Sequence, residues 1–237
     1  ESKEFNTDES NNANDKQKSN EQLPGSVSKN VQRIKDLIEE LKNNGADIEL
    51  EEFDFETMYQ NCTDPWNQLE EAEISYVRAS TCISVKKYGL DSVMELGCGL
   101  GKTTNYIKKN TGIDIIGVDI SETAVEKAKN MYPDIDFRVD NVLNISKSAE
   151  NINYLFAEIM RYILDDLDEI IQNVSMKCRG NYVMINQTFY PKGCQSYGTE
   201  YFSTVDEMIT YLPWKCVKKI VEYGENSFDT HTVFKVE

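Results

Sequence analysis

"MELGCGLGKTT", residues 94–104, packs a short apolar run, three alternating glycines and a Lys-Thr pair into one turn-sized stretch. A phosphate loop needs a glycine, four residues, then Gly-Lys-Ser/Thr, so that main chain wraps the phosphate before the lysine reaches it. Counting back from Gly101-Lys102, the required glycine falls on Leu96, and that reading fails by one residue. A dinucleotide fingerprint wants a third glycine three positions after the second, for close helix–strand packing beside a pyrophosphate. Gly97 and Gly99 satisfy it, but Lys102 stands at the third position, which leaves only a variant form. The remaining pattern is Glu95-x-Gly97-x-Gly99-x-Gly101, a sharp turn at the end of a strand where missing Cβ atoms let another group approach bare backbone.

Short apolar runs recur on both sides of this turn. "SVMEL", "DIIGVDI", "IDFRV", "INYLFA" and "NYVMIN" are separated by helix-length stretches such as "TAVEKAKNMY" and "DDLDEIIQNVSM". Strand and helix alternating in this way predict an α/β fold, a doubly wound, mostly parallel sheet covered on both faces. The C-terminal part differs: "WKCVKKIVEYG" and "FDTHTVFKVE" are joined by a few residues around Gly224, with no helix between, which predicts an antiparallel hairpin.

The first part of the chain reads differently. Residues 1–26 are almost devoid of apolar side chains and are expected to form a disordered tail. Val31, Ile34, Leu37, Ile38 and Leu41 recur at helical spacing, with Ser28 as cap and Gly45 as stop. A second helix is predicted to begin at Thr63 or Asp64, ahead of Pro65, and to run to about Tyr88. The division expected is a tail over 1–26, a helical cap over 27–90, and the α/β domain over 91–237.

Composition narrows the partners. A net charge of -16 on 237 residues, without a Lys/Arg-rich block, disfavours nucleic acid. No apolar run approaches the length of a membrane span, so no membrane association is expected. Six scattered cysteines without a C-x-x-C pair signal neither a metal site nor a redox dithiol, and suit free thiols in a reducing cytoplasm. The one histidine, His231, lies within the last predicted strand and is read as structural.

The glycine pattern and its downstream spacing resemble the first motifs of class I S-adenosylmethionine-dependent methyltransferases. In that family the loop here formed by Glu95, Gly97, Cys98, Gly99 and Gly101 passes under the amino-acid part of the cofactor. Asp119, ending the second strand in "GVDIS", stands where the family's carboxylate accepts hydrogen bonds from the ribose hydroxyls, with Ile120 beside it. Asp140 and Asn141, after the third strand, stand where the adenine is contacted. The resemblance implies a seven-stranded Rossmann-like sheet with its sixth and seventh strands reversed, S-adenosyl-L-methionine as cofactor, and methyl transfer as the activity.

A finer resemblance, to small-molecule enzymes related to nodulation-factor N-methyltransferases, comes from "TDPWNQLEEAEISYVRA" and "AEIMRYILDDLDEI". It implies that Trp66, Tyr76 and Arg78 line the cofactor's methionine end, Tyr76 also facing substrate. The family often opens the fourth strand with an acidic residue, and "NINYLF" has none. Glu158 and Tyr162 follow that strand and are the candidates for a general base, with Arg161 between them facing substrate. Gln187, Tyr190, Gln195, Tyr197 and Tyr201, in a segment expected to loop out after the fifth strand, offer hydrogen bonds and flat apolar faces to a polar metabolite. The function implied is methylation of an oxygen or nitrogen of a small polar metabolite or sugar. The alternatives are a protein methyltransferase acting on a basic partner, or a cofactor-binding module without catalysis.

Overall fold

Glycines at alternate positions end one buried strand and release the chain into a helix. The computed structural model describes residues 54–69, 75–147, 152–191, 194, 198–199 and 201–237. The tail and the helix predicted over 28–45 lie outside the described residues, as do Gln195 and Tyr197.

Strand β1 (Ser92–Leu96) pairs in parallel with β2 (Asp114–Asp119) on one side and β4 (Asn153–Ala157) on the other. The strand β3 (Asp136–Val139) extends the sheet beyond β2, and β5 (Tyr182–Phe189) extends it beyond β4. Next to β5 comes β7 (Phe228–Lys235), antiparallel to it, and β6 (Lys215–Tyr223) closes the edge antiparallel to β7. The order β3-β2-β1-β4-β5-β7-β6 is the seven-stranded arrangement expected, with the hairpin reversed. The winding direction changes between β1 and β4, which opens a crevice at the carboxyl ends of these two strands.

Six helices complete the described chain: α1 (Phe55–Asn61), α2 (Tyr76–Tyr88), α3 (Lys102–Thr111), α4 (Glu122–Met131), α5 (Leu167–Lys177) and α6 (Val205–Tyr211). Their ends follow local chemistry. The hydroxyls of Ser75, Ser121 and Thr204 accept amide hydrogens from the first turns of α2, α4 and α6. Because side chains alternate along a strand, Met94, Tyr154, Phe156, Ile185 and Phe234 fill the face beneath α5 and α6. Val93, Leu155, Met184 and Val233 fill the opposite face, with Val85 of α2 and Ile107 of α3. By the same alternation Glu95, Asn186, Thr188, His231 and Asp229 point to that second face, beyond its apolar part.

Two expectations are corrected. The helix predicted from Thr63 or Asp64 begins instead at Tyr76, capped by Ser75. Asp64 is spent on a turn, its carboxylate accepting the amides of Gln68 and Leu69 at 2.8 and 2.7 Å, which is the competition that aspartate offers to helix formation. The fifth strand does not end at Asn186 but continues through Phe189, because β7 supplies partners as far as Phe228. Gln187 is therefore a strand residue.

Beside Cys82 and Val85, α2 also buries polar side chains: Arg78, Ser80, Thr81 and Ser84. Thr81 and Ser84 find partners on the sheet. The Oγ of Ser84 is 2.7 Å from Nε2 of His231, whose Nδ1 lies 2.7 Å from Oδ1 of Asn186, while Asn186 Nδ2 donates to Thr81 Oγ1 at 3.0 Å. The amide oxygen only accepts, so this network sets the Nδ1–H tautomer of His231. The structural reading of His231 agrees with these contacts, and the seam holds the middle of α2 against β5 and β7.

Candidate functional site

The loop after β1 is held by Asp119. Its Oδ2 accepts the Gly99 amide at 2.8 Å and its Oδ1 the Ser121 amide at 3.0 Å. Burial raises the pKa of this carboxyl, opposed by those amide bonds. Gly97 has φ +69, and a Cβ there would come within 2.4 Å of Cγ2 of Ile159. A Cβ on Gly99 would meet the Tyr59 hydroxyl at 2.6 Å and Oε1 of Gln68 at 2.7 Å. Glu95 is buried under the loop, accepts from Thr104 Oγ1, and is pushed up to about 8 by desolvation.

Residues 54–69 roof this loop. Gln68 Oε1 accepts the Leu100 amide at 2.8 Å, and Tyr59 is buried with Leu100 and Ala124. The carboxylate of Glu56 sits on the amino end of α4, accepting from Ser121 Oγ, Thr123 N and Thr123 Oγ1. These bonds hold its pKa down to about 2. The ring of Trp66 packs at 5.3 Å on Tyr162 and 6.4 Å on Phe55, tying the roof to the turn after β4.

Beside the loop, on the α2 face, lies a cavity of about 480 Å³. The start of α2 (Ser75, Tyr76, Arg78), Glu95 of β1 and Lys102 of α3 form one side. Glu158, Asn186, Thr188, Glu222 and Asp229 form the other. Glu158 sits at φ +62, uncommon for a residue with a side chain, and such outliers concentrate at functional sites. Its carboxylate accepts from the Thr188 amide, Thr188 Oγ1 and Gln187 Nε2, each at 3.0 Å. The residue is reachable from solvent through the cavity, while the carboxylate is flanked by protein. Desolvation raises its pKa to about 7 against the Thr188 bonds.

The structure separates the residues singled out from the sequence. Glu95, Arg78, Tyr76 and Glu158 line the cavity. Gly97, Cys98, Gly99 and Gly101 form the adjoining loop, Asp119 ends β2 against it, and Ile120 and Asp140 follow the neighbouring ends of β2 and β3, Asp140 donating its amide to the Asp119 carbonyl. The carboxylate of Asp140 accepts the Asn141 amide and Asn144 Nδ2. Trp66 and Tyr162 do not line the cavity but pack on each other. Arg161 donates to the Thr188 carbonyl at 2.6 Å, with its guanidinium over the rings of Phe189 and Tyr190. Tyr201 packs on Tyr211 in the core under α5 and α6. Sequence reading missed Tyr59, Gln68, Asn186, Thr188, Glu222 and Asp229. For the last two a signal existed: pairing outward from the hairpin turn puts Glu222 opposite Asp229.

Residues 93–179 match the family model described as a methyltransferase domain. A 55-residue stretch is 40% identical to putative methyltransferase 235L of Invertebrate iridescent virus 6, covering 22% of this chain and 20% of that protein. The chain thus spans about a fifth of that relative's length. Among solved structures, N-methyltransferase NodS from Bradyrhizobium japonicum, in complex with S-adenosyl-L-homocysteine, superposes with TM-score 0.58 at 16% identity over 74% of this chain and 94% of that one. An S-adenosylmethionine-dependent methyltransferase from Clostridium acetobutylicum superposes with TM-score 0.57 at 16% identity, over 76% and 99%. The chain therefore has the Rossmann-like fold that these proteins share. Among the described residues no helix is long and apolar enough to cross a membrane.

Proposed function

We propose that this chain is an enzyme that binds S-adenosyl-L-methionine and methylates an oxygen or nitrogen of a small polar molecule, within a reducing cytoplasm. The observation that carries the reading is the buried carboxylate of Asp119, bonded to the Gly99 amide at the sheet's switch point and adjoined by the cavity. The residues present fit the cofactor. Two of the carboxylate's lone-pair sites are used by amides, and the others suit a pair of hydroxyls. Beside it Ile120 and Val139, at neighbouring strand ends, are 53% and 51% exposed, an apolar ledge suited to a flat base. Arg78 in the cavity wall suits a carboxylate. Residues 54–69 serve as the cap over this site.

When bound, the cofactor would supply an electrophilic methyl group on a sulfonium centre able to depart as a neutral thioether. The protein's own part is placement and drying. Holding two reactants in line is worth about 7–11 kcal/mol, and the roof of Tyr59, Trp66 and Gln68 keeps water from the loop. Glu158 is placed to accept a proton, a contribution of about a hundred- to ten-thousandfold where the acceptor must lose one. The net charge of -16 favours a basic protein partner as the second reading.

The test is calorimetry with S-adenosyl-L-homocysteine. Asp119→Asn is expected to weaken binding by about a hundredfold, as hydrogen bonds to a charged group are removed, while circular dichroism shows the fold retained. Equal affinity in the two proteins would refute the assignment.

A further inference from the structure

A chain of hydrogen bonds runs from the edge strand β6 to the wall of the cavity, and its donors all point the same way. Lys218 Nζ donates to Ser84 Oγ at 2.8 Å, Ser84 Oγ lies 2.7 Å from His231 Nε2, and His231 Nδ1 lies 2.7 Å from Asn186 Oδ1. Asn186 ends the chain in the cavity wall. Its Nδ2 carries two hydrogens. One goes to Thr81 Oγ1 at 3.0 Å, a hydroxyl that gives its own hydrogen to the Val77 carbonyl at 3.0 Å and so accepts here. The other is left for the cavity. Asn186 is only 2% exposed, so a ligand meets one end of the amide and not both.

The same atoms admit a second complete arrangement. With its hydrogen on Nε2, His231 would donate to Ser84 Oγ, and Ser84 would donate to the Ser80 carbonyl 2.9 Å away. Asn186 would then turn over to donate to Nδ1, showing its oxygen to the cavity in place of an N–H. The two arrangements offer opposite chemistry to a ligand. Lys218 decides between them, because its ammonium, one hydroxyl away, attracts the lone pair of Nε2 in the first and repels an N–H there in the second. His231 stays neutral throughout, since burial and then Lys218 hold its pKa down to about 3. One ring nitrogen therefore always accepts.

We infer that Asn186 positions the methyl acceptor, giving one fixed N–H to a carbonyl or carboxylate oxygen of that molecule, and that Lys218, Ser84 and His231 are positioning residues that keep the amide turned this way round. The inference rests on the proposed reading of the cavity as a methyl-transfer site and deepens it, naming a group that the acceptor must carry. An oxygen meets the N–H without the loss of any bond in the chain. A donor at the same point would face a hydrogen, and turning the amide to receive it would bring the His231 N–H towards the charge of Lys218. A few such placed polar groups are what orient a small molecule in a cavity. Arg78, three residues before Thr81 on α2, lines the same cavity and offers a cation where the oxygen is anionic. A carbonyl and a carboxylate share this chemistry.

His231 is the one histidine of the chain, so isotope labelling of histidine reads its tautomer by NMR at a single site. In the full chain Nδ1 is expected to carry the hydrogen and Nε2 to show the shift of a bare ring nitrogen. Three planar probes of one shape, acetone, acetate and guanidinium, are then titrated with and without S-adenosyl-L-homocysteine. Acetone or acetate is expected to shift the Asn186 side-chain N–H resonances saturably, and guanidinium to leave them in place. Which of the two oxygen probes binds more tightly tells a carbonyl from a carboxylate. Lys218, which does not line the cavity, supplies the variant. Lys218→Met is expected to move His231 towards the Nε2–H form and to weaken the oxygen probes about two- to tenfold, the worth of one hydrogen bond, while affinity for S-adenosyl-L-homocysteine is kept. An Nε2–H tautomer in the parent, a response of the Asn186 hydrogens to guanidinium alone or to no probe, or an unchanged tautomer and probe affinity in Lys218→Met would overturn the inference. Failure of S-adenosyl-L-homocysteine to bind would instead sink the cofactor reading, and the tautomer and probe responses of the protein alone then still decide on Asn186.

Discussion

Replacing Glu56 by Gln should loosen the roof without unfolding the sheet. In the structure this carboxylate holds Ser121 Oγ at 2.7 Å, Thr123 N at 3.1 Å and Thr123 Oγ1 at the amino end of α4, where the helix dipole adds attraction for an anion. These bonds bring its pKa from 4.5 to about 2. For a fully desolvated carboxylate that difference would correspond to about 3 kcal/mol; solvent screening at this half-exposed position reduces it to about 1–2 kcal/mol. The roof keeps its other ties, since Lys127 Nζ still donates to the carbonyls of Tyr59 and Cys62. The effect is therefore local. Amide exchange at Met58 and Cys62, whose N–H groups bond within and just after α1, should accelerate about five- to thirtyfold in Glu56→Gln at pH 7, while β1 and β4 are unchanged. The sign with pH follows from the lowered value: the stabilisation is complete above about pH 4.5 and is lost as the pH falls through about 2. Identical exchange at these two amides in parent and variant would refute the reasoning.

Gly97→Ala forces a side chain into φ +69 and places its Cβ 2.4 Å from the Cγ2 methyl of Ile159. Together these should cost about 2–4 kcal/mol in urea unfolding, and adding Ile159→Ala should return only the steric part. His231 is held down to about 3 from 6.5 by desolvation, with Lys218 adding to it. Its contribution to stability is complete above about pH 6.5 and falls by about 1.4 kcal/mol per pH unit towards about 3, so the stability gap between the parent and His231→Gln should shrink between pH 7 and pH 4; a constant gap would count against it. Glu158 must be ionised to accept a proton, so the rate of methyl transfer to an acceptor that loses one should fall below about pH 7, and Glu158→Gln should lose that acid limb along with most of the rate.

The glycine turn and the carboxylate that holds it were legible in the chain because their signals are local. Gly97, Gly99 and Gly101 each answer a backbone requirement within one turn, and Asp119 ends the next strand at a distance set by one helix. The order of elements decided the sheet, and the missing helix between residues 214 and 237 decided the reversed hairpin. The places where reading failed are those where a distant partner overrode a local preference. Asp64 takes the amides of Gln68 and Leu69 instead of starting a helix, and β5 runs on through Gln187 to Phe189 because β7 is there to pair with it. Tyr162, a candidate base by position, is occupied by Trp66 from the roof.

By itself, then, the sequence determined the parallel core, the glycine turn and the carboxylate beside it, since strand period, glycine conformation and chain spacing are short-range properties. Only the tertiary structure decided that Glu158, Thr188, Asp229 and Glu222 share one wall, and that Gln68 closes over Leu100. Those groups are tens of residues apart in the chain. Their meeting depends on strand register and helix docking, which arise from packing across the whole sheet and leave no local mark.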